Sequence, residues 1–248
     1  MKRRTIAIYV STVAFIYILW YVLSLLLGSN ILPDPLKVFL RGFEEAATSE
    51  FWVHVKASTL RLLAALVSAF ILAVPVGLIL GSNARLDRLF SPLIYLGYPI
   101  PKIVLMPVIF VLFGLGDTGK IVLLAMIIFF QLLITTRDSA RKIDREIIYS
   151  LKSLGGNRFD FFLHVVWPVS LPGIFTSLRI GTGTAVAVLF FVESIATNEG
   201  LGFYIIDSWG RAEYATMFVG IISLSIIGIV MYEIFELLER KFCKWKDL

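Results

Sequence analysis

The chain has 248 residues, of which 58% are hydrophobic and only 17% are charged. Soluble domains are usually about 45–50% apolar and about 25% charged, so this composition excludes an ordinary soluble protein and indicates one that lies in a bilayer. The formal net charge of +5 is divided among short clusters between apolar runs, which favours a role in membrane orientation over nucleic-acid binding.

Six apolar segments follow one another along the chain, and as helices they are long enough to cross the hydrocarbon core. We therefore expect an all-α membrane protein with about six transmembrane helices, forming a single domain over residues 1–248. The first segment is expected to be a retained span, because Leu27-Gly28-Ser29-Asn30 is a poor cleavage site for a signal peptide. The predicted spans are residues 6–27, 58–81, 91–113, 119–136, 171–192 and 214–237.

The distribution of Lys and Arg predicts how these spans are oriented. The N-terminal segment, the loop at Arg85, the loop 137–170 and the C-terminal tail hold 3, 2, 6 and 4 of them, whereas the three alternate loops hold five in all. The positive-inside rule then places both termini and the loop 137–170 in the cytoplasm. Between the first two spans, residues 36–43 are expected to form an amphipathic helix on the membrane surface.

No pattern in the chain predicts a cofactor or a metal site. Cys243 is the only cysteine, and the two histidines stand far apart without ligand spacing. Gly114–Lys120 matches the first seven positions of a P-loop, but Ile121 stands where Ser or Thr should reach magnesium, so we interpret the segment as a tight turn. A membrane enzyme would need acids, histidines or a Ser/His pair at one depth, and the predicted spans contain no His and no Asp.

The loop 137–170, between the fourth and fifth predicted spans, is the most informative polar segment. Gly155 can adopt the positive φ that ends one helix, and Asn157 can cap the next. Pro168 is expected to end this short helix before the fifth span. With an apolar face starting at Phe159, it would be either a docking element for a cytoplasmic partner or a helix resting on the lipid headgroups. The residues alone leave both interpretations open.

The same loop resembles the characteristic loop of binding-protein-dependent ABC importer permeases. That pattern is Glu-Ala-Ala, three residues, Gly, nine residues and Ile-x-Leu-Pro. Gly155 fits its Gly, and Val165-Val166-Trp167-Pro168 follows at the right spacing. Tyr149-Ser150-Leu151 stands in place of Glu-Ala-Ala, so the loop offers no carboxylate at position 149 for a salt bridge.

Further segments, in the same order along the chain, resemble the nitrate/sulfonate/taurine (bicarbonate) branch of that family. They cover nearly the whole sequence and are together more specific than any one alone. They are Leu32–Pro35, Ser58–Arg61, Pro99–Pro101 with Met106-Pro107, Phe113–Gly116, Leu154-Gly155, Leu171–Gly173, Glu193 with Gly200–Gly202, and Leu238–Arg240 with Trp245.

This resemblance implies the permease subunit of an ATP-driven importer, in the cytoplasmic (inner) membrane of a prokaryote. Two permease copies would form a pathway for a small, anionic solute. An extracytoplasmic substrate-binding protein would deliver the solute, and two cytoplasmic ABC ATPase subunits would grip the loop as a coupling helix. The permease itself would perform no chemistry. The residues implied for ATPase coupling are Ser150, Leu151, Leu154, Gly155, Gly156, Arg158, Phe159, Phe162 and Pro168.

Four polar residues in or beside the predicted spans are candidates for the pathway or its gate. Arg179 either pairs with a loop carboxylate or snorkels, or it contacts an anionic substrate. Lys102, beside a proline break, either lines the path or snorkels from a helix kink. Thr182 belongs to a small-residue stretch suited to helix packing or to pathway lining. Glu193 is either a solvated carboxylate or a contact for the binding protein or the outer gate.

The alternative function is a self-contained secondary transporter or channel. Such proteins usually show internal repeats and ionisable residues near the middle of the membrane, and no repeat is apparent here.

Overall fold

The computed structural model describes the chain except for residues 1, 30, 144–145, 148–150, 152, 154, 196 and 248, and except for the side chains of residues 2–9, 158 and 246–247. The described residues form helices and turns, with no strand among them, which confirms the predicted all-α class. The helices are α1 (Lys2–Leu27), α2 (Pro35–Ala46), α3 (Ser49–Ser82), α4 (Ala84–Gly97), α5 (Met106–Phe113), α6 (Asp117–Arg141), α7 (Arg158–Phe161), α8 (Trp167–Ile195), α9 (Leu201–Gly210) and α10 (Tyr214–Phe242).

Five of the helical stretches are long and apolar enough to cross a membrane, and a sixth candidate is a bent pair. The five lie in α1, α3, α6, the continuous stretch from α7 to α8, and α10. The prediction of about six transmembrane helices is therefore confirmed. In α1, only 6% of the span window Val10–Leu27 is buried, so this helix makes few contacts with the rest of the chain.

The third predicted span, 91–113, is not one straight helix. α4 ends at Gly97, and a 3₁₀ turn, Lys102–Leu105, leads into α5. The two halves are bent by 77° relative to each other. Pro99 and Pro101 cause the break, because a proline lacks the backbone N–H of a helical hydrogen bond and its ring clashes with the preceding turn.

The loop predicted for residues 137–170 is shorter than expected because helices extend into it from both sides. α6 continues to Arg141, and the Arg137 side chain, counted above as a loop charge, is only 1% exposed. At the other end the helix runs on through Pro168 and Pro172 to Ile195, so the expected proline break is absent. The segment between Arg141 and Arg158 remains as the connection between two spans.

By contacts the chain divides into two compact units. Unit 1 comprises Met1–Ser58 and Glu193–Leu224, and unit 2 comprises Thr59–Val192 and Ser225–Leu248. In unit 1, Asp34 caps α2 by accepting hydrogen bonds from the backbone of Leu36 and Lys37 at 2.7 and 3.4 Å. The Arg41 Nε donates to Thr216 Oγ1 at 3.1 Å, which ties α2 to the start of α10.

The helix α2 has the amphipathic character expected for residues 36–43. Val38 is buried, whereas the large apolar side chains on its outer face are more than half exposed. This pattern is typical of a helix in the membrane interface, with one face on the protein and apolar groups reaching the lipid. The exposed residues are Leu36, Phe39, Leu40 and Phe43.

In unit 2, α3 and α6 lie in close contact through two glycines four residues apart. A Cβ on Gly77 would lie 2.8 Å from Thr136 Cβ, and one on Gly81 would collide with the carbonyl oxygen of Arg137 and the side chain of Ala140. Small residues at this spacing let two membrane helices approach closely. The ion pair between Arg61 Nε and Asp117 Oδ1, at 2.7 Å, ties α3 to the first turn of α6.

We predict that Gly81→Ala destabilises the protein by about 1–3 kcal/mol, because the new methyl group meets backbone atoms of α6 that have no room to move. The measurement is the midpoint of thermal unfolding in detergent. Gly183→Ala is the matched control: this helical glycine has open space around its Cβ position. Equal midpoints for the two variants would contradict the close approach of α3 and α6.

Candidate functional site

The turn before α7 has the geometry that the sequence predicts for a glycine ending a helix. Gly155 has a φ of 79°, in the left-handed region that favours glycine. The N–H of Gly156 donates to the carbonyl of Leu151 at 3.0 Å, the long-range bond of a Schellman motif. Of the other coupling candidates on this side of the turn, Ser150 and Leu154 lie outside the described residues.

A capping box begins α7, as the sequence predicts for Asn157. The Asn157 Oδ1 accepts hydrogen bonds from the backbone N–H groups of Phe159 and Asp160 at 2.8 and 3.0 Å. The Asp160 Oδ2 accepts in return from the N–H of Asn157 at 2.9 Å. These reciprocal bonds satisfy the free donors of the helix start and fix the direction in which α7 leaves the turn.

The short helix offers an apolar tip to its surroundings. Phe159 is 68% exposed, Leu163 is exposed and Phe162 is half-buried. Arg158 starts the helix, and its side chain is not among those described. An exposed aromatic ring on a rigidly capped helix is suited to insertion into a pocket of another protein.

A π-helical turn explains why the helix does not break at Pro168. Over Phe162–Val166 the backbone widens, and the N–H of Trp167 bonds to the carbonyl of Phe162, five residues back. This wider turn leaves space for the pyrrolidine ring and removes the clash that a regular α-helix would produce. The helix therefore continues from α7 through Pro168 into the fifth span without a break.

Arg179 forms ion pairs inside the protein. Its Nη2 lies 2.8 Å from Glu239 Oε2, its Nη1 lies 3.8 Å from Glu236 Oε2, and its guanidinium lies 5.6 Å from the centre of the Tyr232 ring. Glu239 is buried. Arg179 is therefore paired with carboxylates, but these lie on the helix α10 and not in a loop as expected.

A groove lies beside Arg179, between α8 and α10 in unit 2. Its volume is about 540 Å³. Thr182, also on this groove, is buried, and its hydroxyl donates to the Leu178 carbonyl at 2.8 Å. The groove is lined by apolar side chains, among them Ile180, Val186 and Ile229, together with small, hydroxyl-bearing and charged ones. Its lining includes Arg179, Thr182, Gly183, Ser225, Tyr232 and Glu233.

Lys102 is turned into the protein, although snorkelling was one expectation for it. The residue is 9% exposed, and its Nζ donates to the carbonyl oxygens of Gly97 and Tyr98 at 2.7 and 2.5 Å. It also lies 4.4 Å from the centre of the Phe130 ring. Pro101 leaves the Gly97 carbonyl without a helical donor, so the ammonium group caps the broken end of α4.

Glu193 is fully buried, so the solvated carboxylate considered above is wrong. Its Oε2 accepts from Ser58 Oγ at 2.6 Å and from the backbone N–H of Gly202 at 3.0 Å. The N–H groups of Gly200 and Leu201 donate to His54 Nδ1 at 3.1 Å and to Ser58 Oγ at 2.7 Å. Three side chains from α3 and α8 thus accept the free backbone N–H groups at the start of α9 and hold this helix within unit 1.

Sequence reasoning missed His54 and Ser58 as members of this cluster. His54 had been set aside for lack of ligand spacing, and among the described residues no group of three or more His, Cys, Asp or Glu could hold a metal. The hydrogen-bond partner of His54, Gly200, lies 146 residues further along the chain, so no local pattern in the sequence indicates the contact. The Tyr204 ring lies 5.4 Å from the imidazole, and burial raises the pKa of the Tyr204 hydroxyl.

In the segment Gly114–Lys120, the first three residues form the turn between α5 and α6, and the remaining four are the first residues of α6. Gly114 has a φ of 82°, and Asp117 begins α6. A Cβ on Gly119 would collide with the Gly114 carbonyl, so the turn is closely packed. A P-loop follows a strand, and here a helix precedes the glycines.

Comparison with known proteins finds one matching family model and several proteins of similar sequence. The family model described as "Binding-protein-dependent transport system inner membrane component" matches residues 73–244. The chain is 27% identical to the taurine transport system permease protein TauC of Escherichia coli, over 98% of this chain and 90% of that protein. It is 25% identical to the formylaminopyrimidine transport permease protein ThiX of Halalkalibacterium halodurans, over 92% of each.

Solved structures with a similar fold include inward-facing conformations of the MetNI methionine ABC transporter. One crystal form matches with a TM-score of 0.63 and 20% identity, over 76% of this chain and 94% of that one. A second matches with a TM-score of 0.59 and 18% identity, over 75% and 96%. At this identity the likeness concerns the fold alone.

We predict that Glu193→Ala loosens the start of α9. The variant leaves the buried N–H of Gly202 and the hydroxyl of Ser58 without this acceptor, at about 1–3 kcal/mol for each unsatisfied group. Amide hydrogen exchange over residues 200–204 should become faster, as measured by mass spectrometry. Glu213→Ala, which removes an exposed carboxylate just beyond α9, is the control. Unchanged exchange in Glu193→Ala would show that the carboxylate does not hold this helix.

Proposed function

This chain belongs to the family of inner membrane components of binding-protein-dependent transport systems, and we propose that it translocates a small anionic solute of the taurine and sulfonate class. It is a multi-pass ABC importer permease and not an enzyme, since a separate ATPase subunit hydrolyses ATP. The relatives TauC and SsuC, the second named as an aliphatic sulfonates transport permease of Bacillus subtilis and 25% identical, support the solute class.

The observation that carries the proposed mechanism is the capped, exposed helix between two spans. Gly155 and Asn157 fix its direction, and the π turn makes it continuous with α8. A cytoplasmic ABC ATPase that gripped this helix would therefore push on a transmembrane helix directly. The residues proposed for this contact are Ser150, Leu151, Leu154, Gly155, Gly156, Arg158, Phe159, Phe162 and Pro168.

The proposed orientation places both termini and the coupling loop in the cytoplasm. Arg137 is buried and paired, so it no longer counts among the flanking charges. Without it, 14 Lys and Arg residues remain on the proposed cytoplasmic side, against five on the other side. This excess still supports the orientation by the positive-inside rule.

The proposed pathway follows the groove beside Arg179 and Thr182. The positive charge of Arg179 is already balanced by Glu239, so this arginine attracts an anion only weakly, and hydroxyl groups along the groove would provide most of the polar contacts. Lys102 and Glu193 act on the pathway indirectly in this proposal. The first holds the bend after α4, and the second holds α9 as part of the outer gate or of the surface that receives the binding protein.

A second copy of the chain completes the proposed pathway. The exposed face of α8, with Ile180, Gly183 and Phe191, belongs to a helix whose other faces are largely buried, which supports contact with another permease copy. A self-contained secondary transporter or channel is not favoured, because the chain belongs to a family that works with an ATPase and a binding protein.

We predict that Gly155→Val weakens binding of the ATPase subunit. A β-branched residue resists a positive φ, at a cost of about 1–2 kcal/mol, and the capped turn would rearrange. The measurement is co-purification of the cognate ABC ATPase subunit. Gly28→Val is the matched control, because Gly28 has a φ of 83° and no neighbour within 4 Å of its Cβ position, but lies at the end of α1. Full ATPase recovery with Gly155→Val would contradict the coupling role.

We further predict ATP-dependent uptake of labelled taurine by vesicles that contain this chain, its ATPase and its binding protein. An aliphatic sulfonate should compete, and a neutral amino acid should not, because the proposed recognition depends on the sulfonate anion. Vesicles without the ATPase are the control. Uptake that is independent of ATP would favour the secondary transporter, and active ATP-driven vesicles that ignore both sulfonates would refute the solute class.

A further inference from the structure

A buried cluster of charged residues joins α4 to the last turns of α6, both in unit 2. Asp87, in the first turn of α4, is 8% exposed, and Arg137 of α6 is 1% exposed. The Arg137 Nε donates to Asp87 Oδ1, and the Arg141 Nη1 donates to Asp87 Oδ2 at 3.2 Å. A single carboxylate thus binds two arginines that lie one helical turn apart.

Two further residues of α4 orient the Arg137 guanidinium. Its Nη2 donates to Ser91 Oγ at 2.7 Å, and its Nη1 lies 3.5 Å from the Tyr95 hydroxyl. Asp87, Ser91 and Tyr95 follow one another at four-residue spacing, so Arg137 lies along one face of α4 over two turns. Directional, charge-assisted bonds of this kind fix the register of two helices, whereas apolar contacts allow them to slide.

The last turns of α6 lie at one end of the proposed coupling segment, the stretch of chain between α6 and α8, and they contact α8 at its other end. α6 ends at Arg141, immediately before the loop, and α8 begins directly after it. A Cβ on Gly173 of α8 would collide with the side chain of Ser139 on α6, so the two helices are in close contact there. Movement of the loop therefore acts on two helices that meet at Thr135 and Ser139 of α6.

The other end of α4 leads into the 77° bend and α5. Lys102 caps α4 at this bend through the Gly97 carbonyl. The helix α4 therefore lies between the cluster at its first turn and the bend at its last. A displacement of α6 that is passed to Asp87 would reach the bend along a single helix.

We propose that Asp87 and Arg137 are positioning residues for transport, which pass the movement of the coupling segment to the bent pair α4–α5. The proposal rests on the coupling role given to the loop above. The ion pair is buried and held in register at two further points on α4, so α4 follows α6 when the ATPase moves the loop.

The test measures the bend by double electron–electron resonance between two spin labels in the assembled transporter. Leu96→Cys on α4 and Leu112→Cys on α5 carry the labels, because both side chains are largely exposed. Cys243→Ser removes the one native thiol. The label distance is compared between the nucleotide-free complex and the complex trapped with ATP and vanadate. We expect a shift on trapping when the cluster is intact.

Asp87→Asn should abolish this shift, with the ATPase still co-purifying and still hydrolysing ATP. A merely structural role would instead lower assembly and stability together. If Asp87→Asn does not fold, Asp87→Leu with Arg137→Met removes both buried charges at once, and such apolar replacements are often tolerated. Asp138→Asn is the control, because this carboxylate is half exposed and lies 3.8 Å from Arg137.

The proposal is overturned if the double variant or Asp87→Asn keeps the full shift, or if the intact, ATP-hydrolysing complex shows none. If the proposed function itself is wrong, the result differs, because no ATPase would then co-purify with the unsubstituted chain. A shift that is lost in Asp138→Asn as well would also refute the specific role of Asp87.

Discussion

Every interruption of a helix in this apolar chain exposes backbone groups that need a partner, because neither lipid nor a packed interior supplies one. In this protein, side chains from other parts of the chain form hydrogen bonds with these backbone groups. Lys102 binds the carbonyls left free at the bend after α4. Ser58, His54 and Glu193 accept the N–H groups at the start of α9. Before Pro168 the backbone itself adjusts through a π turn.

Charged residues inside the helical core follow a related rule, since a buried charge is tolerated when an opposite charge lies beside it. Arg61 is paired with Asp117, Arg137 with Asp87, and Arg179 with Glu239. In each pair the two residues lie on different helices, so the same contacts that neutralise the charges also hold the helices together. The charged candidates for the pathway or its gate therefore bind other groups of the protein: Arg179 pairs with Glu239, Lys102 binds a backbone carbonyl, and Glu193 accepts a backbone N–H.

Local features of the proposed coupling segment were predicted well. The positive φ of Gly155 and the cap formed by Asn157 depend on residues within a few positions of each other, and the sequence contains all of that information. The expected break at Pro168 was wrong because the effect of a proline depends on the hydrogen-bonding pattern of the preceding turn. A widened turn with five-residue bonds accommodates the ring, and proline spacing alone does not reveal it.

The sequence by itself determined the membrane class, about six helical spans, the glycine turn and its cap, and the family resemblance, because composition and short-range spacing encode all of these. Only the tertiary structure decided that the third span is bent by 77°, that Glu193 is buried, and that Arg137 binds Asp87. The residues of these contacts lie 135 positions apart for Ser58 and Glu193, and 50 for Asp87 and Arg137. Partners so distant are chosen by the packing of whole helices, which no local pattern specifies.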